Sequence, residues 1–422
     1  MFFGRGTVNN KIHAPLIFFL VFYSASSFLP KKMFPKAKNP VQESDVIVVS
    51  NPKDPIYKDG LKMRLVFEEE LSIGEVEGDE NYMFGSHIVF GTDQEGNFYV
   101  TDFDNKRIQK YDSEGKYLHT IGQAGQGPGE FQSLSVPRFD IEHNLYVTDG
   151  SNRRISFFSR EGEFLRQIPM QERYDNLYIN SKGLFVANKW NLTQEGGVSK
   201  QTSLYGLFDA RFNLVVELFK DEFKSSMPSG FDESSIVNFL ANLLSMTAFK
   251  PQVRYALSSD DFIYLGYPKK YELNIYSPEG KLEKKITRNF KPIPVKERDK
   301  ENFVNIAIDG FSEQIFTEEI KKKAFPKIKY PKYKPAYHSF VLMENGWLAV
   351  IVESVEDEYT LFDIFDQEGK YIANFKTSIP AEGMLSEFFF FKNDRAYAVV
   401  TEKDYKFVKR YKFEIQEYKD KK

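Results

Sequence analysis

Side chains that converge on one point can hold a metal, polarise a carbonyl or grip an anion, so the placement of histidine, arginine and lysine is informative first. The chain has five histidines. His13 falls in an apolar N-terminal leader, which leaves His87, His119, His143 and His338. No His-Glu-x-x-His and no Gly-x-Ser-x-Gly pattern occurs, so neither the zinc-hydrolase helix nor the serine nucleophile elbow is present. There are no cysteines, which excludes disulfides, thiol chemistry, cysteine-rich zinc sites and a lipid-modified N-terminal cysteine. His119 falls in a predicted outer strand and His143 in a turn. His87 and His338, like Arg138 and Arg254, stand just ahead of predicted innermost strands, where side chains can look into a central channel. These four are candidate ligand-binding residues, although a structural or solvent-facing role is the plainer reading of each.

Two further stretches could do chemistry. Residues 321–334 carry seven lysines and no acidic residue, interleaved with Phe325, Tyr330 and Tyr333. Basic charge among aromatic rings suits an anionic polymer, and Lys329, Tyr330 and Tyr333 are the candidates there. The prolines of this stretch also fit a solvated connector. The glycines of Gly122–Gly129 suggest a phosphate cradle, but the loop leads into another strand and lacks the Lys-Ser/Thr ending. No cofactor or metal motif is present, so none is expected.

The elements that must position these residues repeat. An aromatic residue stands four places before a turn, and an apolar one six places after it: Tyr111-Asp-Ser-Glu-Gly115 with Ile121, then Phe158-Ser-Arg-Glu-Gly162 with Ile168. Phe208-Asp-Ala-Arg-Phe212 with Leu218 is a degenerate copy, and Tyr276-Ser-Pro-Glu-Gly280 with Ile286 and Phe365-Asp-Gln-Glu-Gly369 with Phe375 complete the set. The turn positions lie 47, 50, 68 and 89 residues apart. Such a period means a blade-type repeat, and the two longer gaps mean insertions of about 21 and 42 residues. In the first copy Phe98–Asp102, Ile108–Tyr111 and Tyr117–Ile121 read as strands from their β-branched and aromatic content. Tyr146-Val-Thr-Asp149, Asn152, Arg154 and Ile155 then fall in register on Tyr99-Val-Thr-Asp102, Asn105, Arg107 and Ile108.

An Asp-x-x-Asn-x-Arg-Ile turn after a strand, with Gly127-Pro-Gly-Glu-Phe131 before the next repeat, resembles the NHL-repeat propellers. More narrowly, the chain is similar to exported bacterial six-bladed β-propellers of unassigned function. The match is specific over roughly residues 85–170 and weaker beyond. Many such proteins resemble lipoproteins, and this chain departs from them in having no cysteine. The resemblance implies a binding propeller. It also implies a rival, since some NHL-like propellers are metal-dependent lyases or lactone hydrolases with histidines or carboxylates at the channel mouth. The comparable positions here are Arg138, Leu177, Ala256 and Phe340, which argue against a metal nest. RNA binding, known for some animal NHL propellers, needs a basic face and a cytoplasmic location.

The whole chain reads as an all-β, six-bladed propeller. A sixth blade from Phe388 to about Ile415 lacks an outer strand, and the spare segment around Leu65–Ile73 is expected to supply it and close the ring. Residues 1–26 read as a signal peptide, from Arg5 and Lys11, the apolar Ala14–Tyr23 and the small Ser24-Ala-Ser26. An uncleaved anchor is the alternative and would be the protein's only membrane contact. Residues 27–60 hold five prolines and read as a linker, and residues 61–418 as the propeller.

The insertions, about 221–251 and 289–335, and the Gly122–Phe131 loop should crowd the face that carries the Asp/Asn turns. The first insertion has a helix starting at Asp232-Glu-Ser234, expected to lay its apolar side on the propeller rim, and the second a helix over Glu313–Phe325. Composition is 41% hydrophobic with a net charge of −3, which favours neither nucleic acid nor anionic lipid as a partner. The expectation is therefore a monomeric periplasmic or extracellular module that binds a protein or a saccharide without catalysis.

Overall fold

The computed structural model describes residues 45–56, 62–195, 198–226, 232–308, 317–352, 360–377 and 389–418. The predicted signal segment and the rest of residues 1–44 lie outside them. Six sheets, each with four antiparallel strands, form a six-bladed β-propeller. Blade one comprises Ile88–Thr92, Phe98–Asp102, Arg107–Tyr111 and Tyr117–Ile121, ordered from the channel outward. Blades two to five repeat this order from Arg138, Tyr174, Arg254 and Ser339. Blade six takes three strands from residues 390–418, and its outer strand, Lys62–Ile73, pairs antiparallel with Tyr405–Tyr418.

Burial explains the pattern of the sequence. Among the described residues, six apolar clusters each straddle two neighbouring blades. Both faces of most central strands are therefore covered: every residue of Phe98–Asp102 and of Leu145–Asp149 is buried. Aromatic side chains suit this role, because each removes a large apolar area from water while filling the wedge between twisted sheets. The junction of the last and first blades is made in the same way, with Ile73, Tyr397, Val399 and Val408 packed on Ile88, Phe90, Phe98 and Tyr111.

The repeated turn glycine answers two demands. At Gly115, Gly162, Gly280 and Gly369 φ lies between 81 and 88°, a region that favours glycine. A Cβ there would also press on the neighbouring blade, at 2.9 Å from Leu71 in the case of Gly115. The degenerate third copy keeps the conformation without the glycine, since Phe212 has φ of 62°. Its ring offsets the strain by packing at 4.7 Å on Tyr174 and 4.9 Å on Phe185.

Three features depart from the sequence reading. Part of the proline-rich stretch read as a linker, Ile47–Asn51, is a fifth strand that runs parallel to the outer strand of blade four, Leu282–Arg288. The outer strand of blade three continues to Ser226, so residues 221–226 belong to the blade and not to the insertion. Finally, the second insertion contains an unforeseen helix, α2 (Glu297–Ile308), while its expected helix is α3 (Glu318–Ala324) followed by a 3₁₀ turn at Phe325–Lys327. Thr317 caps α3, and residues 313–316 of the expected helix lie outside the described residues.

Candidate functional site

The Asp/Asn turns and the connections between blades share one face, as strand order requires. Asp149 accepts hydrogen bonds from the N–H groups of Gln132 (2.9 Å) and Ser133 (3.0 Å) in the loop entering blade two. Asn152 Nδ2 reaches Gly125 O at 3.0 Å, and the Arg154 guanidinium donates to the carbonyls of Gln126 (3.0 Å), Gly127 (2.6 Å) and Glu130 (2.6 Å). Glu130 in turn accepts from Gly127 N–H and from the Gln123 amide, which hold its carboxyl below the usual range. In blade one Arg107 grips Glu80 O and Met83 O in the same way. The repeated Asp-x-x-Asn-x-Arg unit is thus a clamp for the incoming loop. Most of its hydrogen bonds go to the loop backbone or stay within the unit.

Of the four channel-mouth candidates, Arg254 and His338 are brought into contact, while His87 and Arg138 bond to residues of their own surroundings. His87 is half-exposed, with Nδ1 2.9 Å from Ser86 Oγ and 3.8 Å from Asp104. Burial pushes the Asp104 carboxyl up, but the Ser86 hydroxyl and N–H and the His87 ring together bring it below its ordinary value. Arg138 hydrogen-bonds Asn176 and stacks 3.6 Å above Tyr178, both in the inner strand of blade three. Tyr255 of blade four donates to the Asp175 and Asn176 carbonyls from the other side, so this bulged strand is pinned by both neighbours. Arg254 Nε donates to His338 O at 3.3 Å, joining blades four and five, and the His338 N–H is used by Ile351 O. Among the described residues, no three histidine or acidic side chains are placed to hold a metal ion.

The two insertions instead build one object. The N-cap of α1 (Glu233–Thr247) is Asp232, whose side chain accepts from Ser235 N–H. Its apolar side, with Val237, Leu240, Ala241 and Leu244, packs on Ala307 of α2, on Ile320 and Ala324 of α3, and on Ile328. That cluster contains residues of the two insertions only, and not of the blades. The expected packing of α1 on the rim is therefore replaced by packing on the second insertion: α1 and α3 have complementary apolar stripes. Phe249, Phe303 and Tyr330 close one end, with ring centroids 5.8–6.3 Å apart.

The lysine-rich stretch is largely consumed in holding this cap. Lys321 is buried and paired with Glu318, Lys323 binds Glu233 and Glu319, and Lys334 binds Asp299 at 2.8 Å. Lys327 donates to Asn238, and Lys329 uses its backbone N–H on Ser245 Oγ while its side chain is exposed. Lys332 lies 5.1 Å over the exposed Tyr333 ring. Opposite-charge partners from α1 and α2 could not be anticipated from the stretch itself, which contains no acid.

Sequence reasoning missed a cleft between two blades. It lies at the junction of blades three and four, with Phe219, Tyr267 and Asn274 among its walls and a volume of about 160 Å³. A wider hollow of about 500 Å³ opens on the other side of the ring, around Ile47, Lys284 and Lys370. Its polar groups are already spent: Lys284 donates to Gln367 O, and Lys370 pairs with Glu368.

Residues 79–265 match a family model described as a Domain of unknown function (DUF4934), a span that runs through blades one to three into blade four. No curated protein matches the chain. Among solved structures, a candidate exported protein from Bacteroides fragilis NCTC 9343 superposes with a TM-score of 0.50 at 12% identity, covering 87% of this chain and 99% of that one. A member of the DUF4221 family from Bacteroides vulgatus gives 0.48 at 11% identity, over 85% of this chain and 99% of that one. Virginiamycin B lyase from Staphylococcus aureus gives 0.41 at 7% identity, over 83% and 99%. At 12% identity the likeness to the Bacteroides fragilis protein is one of fold.

Proposed function

We propose that the chain is an exported NHL-type propeller that binds a protein or a saccharide on its insertion-bearing face and catalyses no reaction. The observation that carries this reading is the helical cap. Two insertions from separate connections meet there in an apolar core of their own, which the ring does not need for closure. Extra structure held on a rigid scaffold is where recognition is usually placed. Export is supported by the leader-like N-terminal sequence and by the likeness to a candidate exported protein. Among the described residues no helix is long and apolar enough to cross a membrane.

Hydroxyl-radical footprinting of the protein in intact envelopes and after purification tests the reading. Tyr333 on the cap and Leu118, Leu165 and Val215 at the opposite ends of outer strands are all exposed, so each reports on its own surface. Protection in envelopes should concentrate at Tyr333. Protection confined to the three leucine and valine sites, or spread evenly, would refute it.

A further inference from the structure

The cleft between blades three and four has the chemistry of a sugar site. Its side walls are Phe219, from the outer strand of blade three, and Tyr267, from the turn that follows Ile263–Gly266 in blade four. The two ring centroids are 5.1 Å apart with planes inclined at 45°, which leaves part of each ring face to the cleft. The floor is the buried Leu265. Behind the rings lies Asn274, whose Oδ1 is buried and accepts no hydrogen bond among the described residues. A buried acceptor left without a donor is costly, so a hydroxyl or N–H brought to it would be favoured. At the mouth stand Lys269 and Lys270, both exposed, and Glu272. The main chain fixes this turn, since Pro268 O accepts from the N–H of Ala336, just past the second insertion. The cleft therefore opens on the insertion-bearing face.

We propose that this cleft is a subsite for one ring of an acidic saccharide, a uronate residue in particular. This rests on the reading that the insertion-bearing face is the binding face, and it names the ligand class. The hydrophobic C–H face of a pyranose lies against Tyr267 and Phe219, and a ring hydroxyl donates to Asn274 Oδ1. Glu272 accepts a second hydroxyl. The ring carboxylate points outward to the exposed Lys269 and Lys270, on the side of the mouth away from Glu272 and from Asp221, which stands near Tyr267. A volume of about 160 Å³ admits a single ring, so a longer chain would run out over the cap or the neighbouring blade.

The test is calorimetric titration of the full chain with a galacturonate trimer and, in parallel, a neutral galactose trimer. The acidic trimer should bind the native protein more tightly. Tyr267→Ala should weaken both trimers at least tenfold. Lys269→Glu with Lys270→Glu, two exposed changes that leave the fold untouched, should weaken the acidic trimer at least tenfold and leave the neutral one unchanged. The proposal is overturned if neither trimer binds, if the two bind equally, or if the charge reversal has no effect. Envelope footprinting separates the two readings. No trimer binding with Tyr333 protected removes the subsite and keeps the binding face; trimer binding with protection only at Leu118, Leu165 and Val215 does the reverse.

Discussion

Replacing Arg154 by alanine would show whether the repeated Asp-x-x-Asn-x-Arg unit serves stability or recognition. Arg154 is 6% exposed and gives three charge-assisted hydrogen bonds to loop carbonyls at 2.6–3.0 Å, plus one at 3.1 Å to Gln167 Oε1. Bonds from a charged donor contribute about 1.5–3 kcal/mol each. Gln126 is exposed and Gly127 and Glu130 partly so, which lets water replace much of what is lost. The expected net cost is about 2–4 kcal/mol. With an unfolding entropy of about 2.1 cal/mol/K per residue, a ring of roughly 350 residues loses about 1.4 °C per kcal/mol, or about 3–6 °C in Tm.

A local readout is sharper. The amides of Gly125 and Phe131 are bonded within the loop to Phe131 O (3.0 Å) and Gln123 O (2.7 Å). Their hydrogen exchange should accelerate roughly thirtyfold or more, since about 1.4 kcal/mol is a factor of ten. Arg154→Lys keeps the charge but not the fork, and should recover less than half of the loss. A Tm within about 1 °C of the native value, with unchanged exchange, would refute the clamp.

Two further outcomes are expected. The Glu130 carboxyl is held low by Gly127 N–H first and then by Gln123, so its contribution is complete above the ordinary glutamate range and is lost as pH falls through its lower folded value. Exchange of the Gly125 and Gly127 amides, corrected for intrinsic rate, should rise only below that range, and Glu130→Gln should abolish the step. In the outer strand of blade six, Ile73 is 1% exposed and Val66 37%. Ile73→Asp should cost about 3–5 kcal/mol in urea unfolding and Val66→Asp less than about 0.5 kcal/mol; equal costs would mean that the strand does not seal the ring.

The fold was legible because one local rule recurs. Each of blades one to five needs an aromatic at the end of its third strand, a positive-φ turn and an apolar return, and those residues stand at fixed offsets whatever the insertions do. Even Phe212, which breaks the rule in sequence, obeys it in conformation. The strand at Ile47–Asn51 was hidden because a short apolar run among prolines has no periodicity to distinguish it from a linker; its partner, Leu282–Arg288, is remote in sequence. Helix α2 was missed for a related reason, as Phe303, Val304 and Ala307 are thin apolar content among charges and acquire meaning only against α1 and α3. The cleft was beyond reach for a third: Phe219 and Asn274 occupy ordinary strand positions in different blades, and nothing local marks Asn274 Oδ1 as lacking a donor.

The strand at Ile47–Asn51 also sets an order of events in folding. It lies on blade four, and its Asn51 side chain bonds Gly369 O (2.9 Å) and Tyr371 N–H (2.7 Å) of blade five. Ile56 N–H reaches Tyr371 O, and Lys62–Ile73 then joins blade six. The residues made early by the ribosome are therefore a belt around the three blades made last. Loop closures of 318 and 320 residues, from Asn51 to Gly369 and Tyr371, must wait for the rest of the ring. Until then the Val46–Val49 run has no strand to join and is open to pairing with other chains. A refolding experiment should accordingly show a slow final phase, concentration-dependent in its yield, that reports the belt docking on a ring already formed.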